Sequence, residues 1–510
     1  MPLLGSIIKK AYELRRFPID IKNIDPVGEQ KKVLKRLLAK AQGTAFGEHY
    51  RFQDILASSD IPHRFRESIP VHDYNSMFRS WWYRSLNGES YVTWPGRVKY
   101  FALTSGTADA SSKQIPVTSD MLWAIRKASI RLLVSTTKYD FPDEFYEKGI
   151  LMIGGSTHLQ YNGTYYQGDV SGITAKTIPF WFQHFYKPGN SISRETEWQV
   201  KLNEIVRNAS SWDIGIVAGV PAWIQIILER IISEYKLRNI HEIWPNFGAY
   251  VHSGVSFEPY VNSFLPLLGK PIVYNESYLA SEGYIAYQFP ESRNAMGMIT
   301  DNGIYYEFIP YTSANFDEDG NLKDNTESLS LEEVTEGREY ALLLSSCAGA
   351  WRYLIGDTIK FTNTKTCEIQ LTGRTKNFLS LCGEHLSQDN MNRAVKMLQD
   401  EMNIKINEFT VCGIRHGSLF GHKWYLGTDS SADPVAIANK LDDCLKVLND
   451  DYRVERLEAI KEIQAEIVPL QAFYDWMKIQ GKEGGAHKFP RVLKNQQLKS
   501  WEEHLRNYGC

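Results

Sequence analysis

Between residues 100 and 275, short apolar runs alternate with segments of helical periodicity. This alternation limits the fold more than any other feature. Residues 100–103, 149–153, 212–218 and 271–275 read as strands. From Ser119, taken as a cap, to about residue 134, Met121, Leu122, Ile125, Ala128, Leu132 and Leu133 make one apolar helical face. Pro221 opens a second helix to about residue 235. Upstream, Asp25 and Pro26 start a helix carrying Val33, Leu34, Leu37, Leu38 and Ala41. Strands alternating with helices predict βα units and a mainly parallel sheet.

The pattern shifts near residue 296. Residues 296–300 and 304–309 flank Asp301-Asn302-Gly303, which predicts a hairpin. Residues 339–345, 358–361 and 367–371 continue as strands, and the acidic stretch 312–338 reads as a surface excursion. From residue 375 the chain starts again. A strand over 376–381 leads to a helix capped by Ser387, then strands 409–414 and 424–427, then a helix opened by Asp433-Pro434. The fold class expected is α/β. A large N-terminal domain, 1–374, has mixed and parallel sheets flanked by helices, and a small α+β C-terminal domain covers 375–510. Residues 481–485 read as a mobile loop.

Charge and cysteine usage exclude several function classes. The net charge of −3 over 510 residues argues against broad electrostatic binding to nucleic acid or anionic membrane. No run of 18 apolar residues occurs, so no spanning helix is expected. The first lysines follow the N-terminal apolar patch, the reverse of a signal peptide. Six cysteines include no Cys-x-x-Cys pair, which fits a reducing cytoplasm and neither a zinc site nor a disulfide framework.

Five segments carry chemistry. Thr104, Ser105, Gly106, Thr107, Ser111 and Ser112 form a hydroxyl-rich loop closed by Lys113. Such a loop offers N–H groups, hydroxyls and one ammonium to an anion, and a polyphosphate is the natural candidate. It is not a P-loop, and taken alone it reads equally as a solvated loop. Tyr274 to Gly283 includes Tyr278, Ser281 and Glu282 directly after a strand, where open α/β sheets place ligand contacts. Glu282 suits magnesium and Tyr278 suits stacking on a purine, although a strand-to-helix turn with a capping carboxylate is the simpler reading in isolation. In Trp351 to Asp357, Gly356 permits close approach and Asp357 offers two acceptors to a ribose diol. As a Gly-Asp turn between strands this is common. Arg374 and Lys376 stand on the domain border, exposed by a turn, where a charged linker is an equal reading. Lys488 and Arg491 follow a glycine-rich stretch from which a lysine can swing onto a phosphate, although most surface lysines do not. Trp223, on the helix after Pro221, can line an apolar pocket, although such residues suit a core better.

In this order the segments resemble the acyl-adenylate-forming enzymes, and most closely the auxin-responsive acyl-acid amido synthetases of the Gretchen Hagen family and their bacterial relatives. The resemblance covers about residues 25–500. Thr104-Ser-Gly-Thr-Ala-Asp-Ala-Ser-Ser-Lys113 keeps the family's Ser-Gly-Thr core and the interval to lysine, with Ala110 in place of a later glycine. Tyr278 to Glu282 matches Tyr-x-x-Ser-Glu, Gly356-Asp357 the Gly-Asp element, Gly373-Arg374 the interdomain element, and Lys488-Phe-Pro-Arg491 the terminal Lys-x-Pro-Arg.

The resemblance implies an ATP- and magnesium-dependent ligase. It would join a carboxylic acid to AMP and pass the acyl group to the amine of an amino acid. Ser105, Gly106 and Thr107, with Thr104, would cradle phosphate, and Lys113 would neutralise its charge. Glu282 would hold magnesium, Tyr278 would face adenine with Ser281 nearby, and Asp357 would bind ribose with Arg374 alongside. Lys488 would approach from a small lid domain rotating about a hinge at residues 374–376. An acyl-CoA ligase and a non-catalytic nucleotide-binding protein are the alternatives.

Overall fold

The computed structural model describes residues 25–508 apart from 105–112, 180–181, 255–256, 258–259, 290–291, 293–294, 318–319, 377, 385, 429–432 and 481–488. In chain order its first strands are β1 (Tyr100–Thr104), β2 (Lys113–Val117), β3 (Gly149–Met152), β4 (Gln160–Tyr161), β5 (Tyr166–Gly168), β6 (Tyr186–Lys187), β7 (Ile214–Gly219) and β8 (Ala249–His252). There follow β9 (Val273–Ala280), β10 (Gly283–Tyr287), β11 (Met296–Met298), β12 (Ile304–Pro310), β13 (Glu339–Ser346), β14 (Tyr353–Asn363) and β15 (Glu368–Arg374).

One sheet has the order β12-β13-β14-β15-β11-β10-β9-β8-β7-β3-β6. From β6 to β9 its neighbours are parallel, and from β9 to β12 they are antiparallel. β9 is thus the border between a βα-built half and a meander. A smaller sheet has the order β2-β1-β5-β4, with Thr104 and Lys113 paired at one end of its β1–β2 ladder.

Helix Pro26–Ala41 buries Val33, Leu34, Leu37, Leu38 and Ala41 at helical spacing, within the core that also holds the β12–β14 side chains. Asp25 precedes it but makes no side-chain cap. Helix Ser119–Ser135 is capped by Thr118 and not by Ser119, since Thr118 Oγ1 accepts from the Met121 amide at 3.1 Å. The same hydroxyl donates to the Cys347 carbonyl at 2.6 Å, tying the helix start to β13's end. Thr118→Ala is expected to cost about 1–2 kcal/mol in chemical denaturation.

Four further expectations are corrected. The strand expected over 271–275 runs on to Ala280, so Tyr278 lies within β9, and Ser281-Glu282 form a tight turn into antiparallel β10 rather than a turn into a helix. The polar run Asn275-Glu276-Ser277 interrupts the apolar pattern and hid the strand's continuation. Residues 296–309 do not form a hairpin: β11 pairs with β10 and β15, while β12 pairs with β13. Between them Asp301 receives Arg131 at 2.5 Å and Asn302 donates to the Ala124 carbonyl at 2.6 Å, so the turn is bound to helix Ser119–Ser135. Gly356-Asp357 is not a turn between strands but part of β14, where Gly356 has φ +92°. The stretch 312–338 is not wholly a surface excursion, because Leu331 and Val334 are buried and Ser328 bonds the buried Glu307.

Downstream lie β16 (Phe378–Leu379), β17 (Leu386–Ser387), β18 (Glu408–His416), β19 (Leu419–Gly427) and β20 (Ile460–Val468). The strand expected over 376–381 shrinks to β16, a two-residue pair with β17. β18 and β19 form a hairpin, and β20 joins β19 in parallel after helix Pro434–Leu448. Ser387 caps helix Gln388–Met402 in a reciprocal box with Asn390, and Asp433 caps Pro434–Leu448. This α+β unit packs on helix Pro221–Glu234. Trp223 Nε1 donates to Glu455 at 3.0 Å and Gln225 to the Ser418 carbonyl at 3.0 Å. Among the described residues no helix is long and apolar enough to cross a membrane.

Candidate active site

Lys113 opens β2 opposite Thr104 in the antiparallel register. Its ammonium stands 5.4 Å from the Tyr74 ring centre. Tyr74 is held there because its hydroxyl accepts from the Gln114 amide at 2.9 Å. Burial lowers the Lys113 pKa to about 8, helped by the positive Arg374 and opposed by Glu282. The charge is therefore costly in the free protein, and an arriving anion gains from it.

Glu282 is 7% exposed at the β9–β10 turn. Burial raises its carboxyl above the ordinary range, against the pull of Lys113. Its neighbour Gly283 has φ +145°, a backbone conformation that glycine adopts without strain. Ser281 is half-buried in the same turn.

Asp357 on β14 faces Arg374 on β15 directly across the ladder. Arg374 Nε lies 2.9 Å from Asp357 Oδ1, and Arg374 Nη2 donates to the Ile355 carbonyl at 3.3 Å. The Tyr278 hydroxyl donates to Asp357 Oδ2. Burial, with the Asp357 charge beside it, raises the Tyr278 pKa far above its ordinary value. Asp357 and Arg374 both act on Glu282, so the two carboxyls and the two cations form one electrostatic group.

Lys113, Glu282, Tyr278, Asp357 and Arg374 are thus brought together from β2, β9 and its turn, β14 and β15. Lys376, exposed just beyond, acts on Lys113 as well. Arg374, expected exposed on a turn, is instead a partly buried strand residue. Trp223 packs edge-on against Trp198 at 4.2 Å and bonds Glu455 in the seam with the C-terminal unit. A cavity of about 430 Å³ in that seam, between Ile226, Arg230, His416 and Lys461, shares no lining residue with the cluster. Ser105, Gly106, Thr107 and Lys488 lie outside the described residues. Tyr74 was not foreseen; it sits 39 positions before Lys113 in a short helix, and no spacing in the sequence links the two.

Among the described residues no three His, Cys, Asp or Glu side chains gather as a metal site. The buried Glu282 carboxyl fits magnesium in the manner that needs few protein carboxylates, with ligand oxygens completing the shell. The cations of the cluster suit an anion, and the paired Asp357 carboxylate suits hydroxyl donors.

Residues 20–203 match the GH3 family N-terminal domain, 297–374 the GH3 family central domain and 389–497 the GH3 family C-terminal domain. Together they cover well over half of the chain. The indole-3-acetic acid-amido synthetase GH3.17 of Arabidopsis thaliana is 24% identical over 50% of this chain and 48% of its own length. The jasmonoyl–L-amino acid synthetase GH3.5 of Oryza sativa subsp. japonica is 27% identical over 52% and 49%. In these matches the chain spans about half the length of its relatives. The indole-3-acetic acid-amido synthetase GH3.8 of Oryza sativa subsp. indica is 22% identical over 96% and 92%. Two solved structures share the fold. The GH3.15 acyl acid amido synthetase has a TM-score of 0.59 and 17% identity over 97% of this chain and 96% of its own. A 2-hydroxyisobutyryl-CoA ligase has a TM-score of 0.59 and 13% identity over 94% and 92%. The chain belongs to the GH3 family.

Proposed function

We propose that this protein is an ATP-dependent acyl-acid amido synthetase. It joins a carboxylic acid to AMP with release of pyrophosphate, then transfers the acyl group to the amine of an amino acid. The observation that carries this reading is the meeting of Lys113, Glu282, Asp357 and Arg374 from four separate chain segments.

A carboxylate is a poor acyl donor because its leaving group is oxide. Attack of its oxygen on the α-phosphate of ATP supplies a better one. The protein's share in that step is positioning and charge neutralisation. Lys113 faces the phosphates. Thr104, Ser105, Gly106 and Thr107 cradle them, and Ser281 adds a hydroxyl. Asp357, fixed by Tyr278 and Arg374, receives the ribose hydroxyls, and the Tyr278 ring faces adenine. Glu282 holds magnesium, which would offset phosphate charge. Lys488 reaches the reacting centre from the unit 375–510, which swings against the domain 1–374 about residues 374–376. The substrates are small molecules, nucleic acid and membrane take no part, and a reducing cytoplasm suits the buried free thiols.

The amide rather than the thioester is the product proposed, because the curated relatives are named amido synthetases. Incubation with ATP, a carboxylic acid and either an amino acid mixture or coenzyme A, followed by mass spectrometry, separates the two. Amide with AMP is the expected product; thioester alone identifies an acyl-CoA ligase and overturns the second half-reaction.

A further inference from the structure

Two titratable groups beside Tyr278 have no part in adenylation as derived above. β8 ends at His252, which stands opposite Glu276 in the parallel β8–β9 register. Side chains alternate along a strand, so Tyr274, Glu276 and Tyr278 share one face of β9, with Tyr250 and His252 next to them on β8. His252 is 6% exposed, and its Nδ1 has no hydrogen-bond partner among the described residues. The Tyr274 hydroxyl is likewise buried and unpaired. Phe257 lies between the two rings, 5.1 Å from His252 and 5.0 Å from Tyr274.

Buried polar atoms are normally satisfied, so two orphans around one aromatic ring call for an occupant. His252 closes β8 at its carboxyl end, the end at which open α/β sheets receive ligands. Charge says which ligand. Lys113 and Arg374 stand beside Glu282 and Asp357, whereas among the described residues no charged neighbour acts on Glu276 or His252. Burial alone raises the Glu276 carboxyl and lowers the His252 imidazole to about 4. A half-buried carboxyl without a cation is suited to a cation brought by a substrate.

We propose that Glu276 and His252 form the acceptor subsite, where Glu276 receives the ammonium of the incoming amino acid and takes one proton from it. His252 Nδ1 shares a hydrogen bond with the amine so freed. The inference rests on the adenylation reading. The step balances. The ammonium gives one proton to the Glu276 carboxylate. The amine lone pair forms the N–C bond at the acyl carbon. The C–O bond to phosphate breaks, and its electron pair leaves with AMP. The second N–H proton goes to the departing phosphate oxygen.

The test separates the half-reactions in Glu276→Gln and His252→Ala. Both are expected to keep acid-dependent ATP–pyrophosphate exchange within about threefold of the parent, which also reports correct folding. Amide formation from an amino acid is expected to fall at least about tenfold in Glu276→Gln. With hydroxylamine, which is largely uncharged at neutral pH, the same variant is expected to stay within about threefold. A group that merely supports the strand would not distinguish the two amines. Unchanged amide formation in both variants, or equal loss with both amines, overturns the subsite and leaves adenylation standing. Loss of exchange in Glu276→Gln, with normal exchange in His252→Ala, moves Glu276 to the nucleotide side and also overturns it. Absence of exchange in the parent protein with every acid removes the adenylation reading and this inference with it.

Discussion

Replacing Lys113 by methionine is expected to lower kcat/KM for acid-dependent adenylation about 100- to 1,000-fold. The ammonium is set by β2, over the Tyr74 ring and near Glu282. Methionine keeps much of the length and the apolar stem and removes the charge. Thermal stability is expected to hold, because the free protein bears a cost for burying that charge. The sign follows from the pKa. It lies at about 8 folded, below the ordinary lysine value, so between those limits the unfolded chain binds more protons. This group's contribution to stability therefore rises with pH through that window and is unfavourable below it. Activity runs the other way. The charged form is needed to receive phosphate, so kcat/KM for ATP is expected to fall as pH rises through about 8, and Lys113→Met is expected to lose that limb. A methionine variant with parental kcat/KM would remove Lys113 from catalysis.

The second large effect is at Asp357. Its carboxylate accepts from Tyr278 and pairs with Arg374, so Asp357→Ala takes one buried contact from each of them. Hydrogen bonds to charged groups contribute about 1.5–3 kcal/mol each, which sets an expected rise in KM for ATP of about 10- to 100-fold. The variant is also expected to unfold at a lower temperature than the parent. Comparing ATP with 2′-deoxy-ATP isolates the ribose contact. The parent is expected to prefer ATP, and Asp357→Ala to lose most of that preference. An unchanged ratio would assign Asp357 to structure alone.

The sequence was most informative where periodicity was strong. Helix Pro26–Ala41, β7 and helix Pro221–Glu234 follow from apolar spacing and proline placement, and Ser387 and Asp433 from cap chemistry. Pairing was less legible, because it depends on partners far along the chain. Asp301-Asn302-Gly303 has hairpin chemistry, yet Arg131 and the Ala124 carbonyl, more than 160 positions upstream, claim its side chains. In β20 only Ile463, Ala465 and Ile467 alternate, and Lys461, Glu462 and Glu466 hid a strand that is paired along one edge.

The candidate site divides in the same way. Lys113, Glu282 and Asp357 stand out through short motifs, and the structure brings them together. Tyr278 was legible as a residue but not as the donor to Asp357, since that bond crosses the sheet from β9 to β14. His252 and Glu276 carry no motif at all. What marks them is an unpaired nitrogen, burial and a shared register, which are properties of the folded chain only.

The central claim is that these segments activate a carboxylic acid as its AMP ester. Exchange of labelled pyrophosphate into ATP, measured across a panel of carboxylic acids without any amine, tests it most directly. Exchange that appears only with particular acids and is abolished in Lys113→Met is the result this account predicts. A folded protein that binds ATP yet shows no exchange with any acid would contradict it.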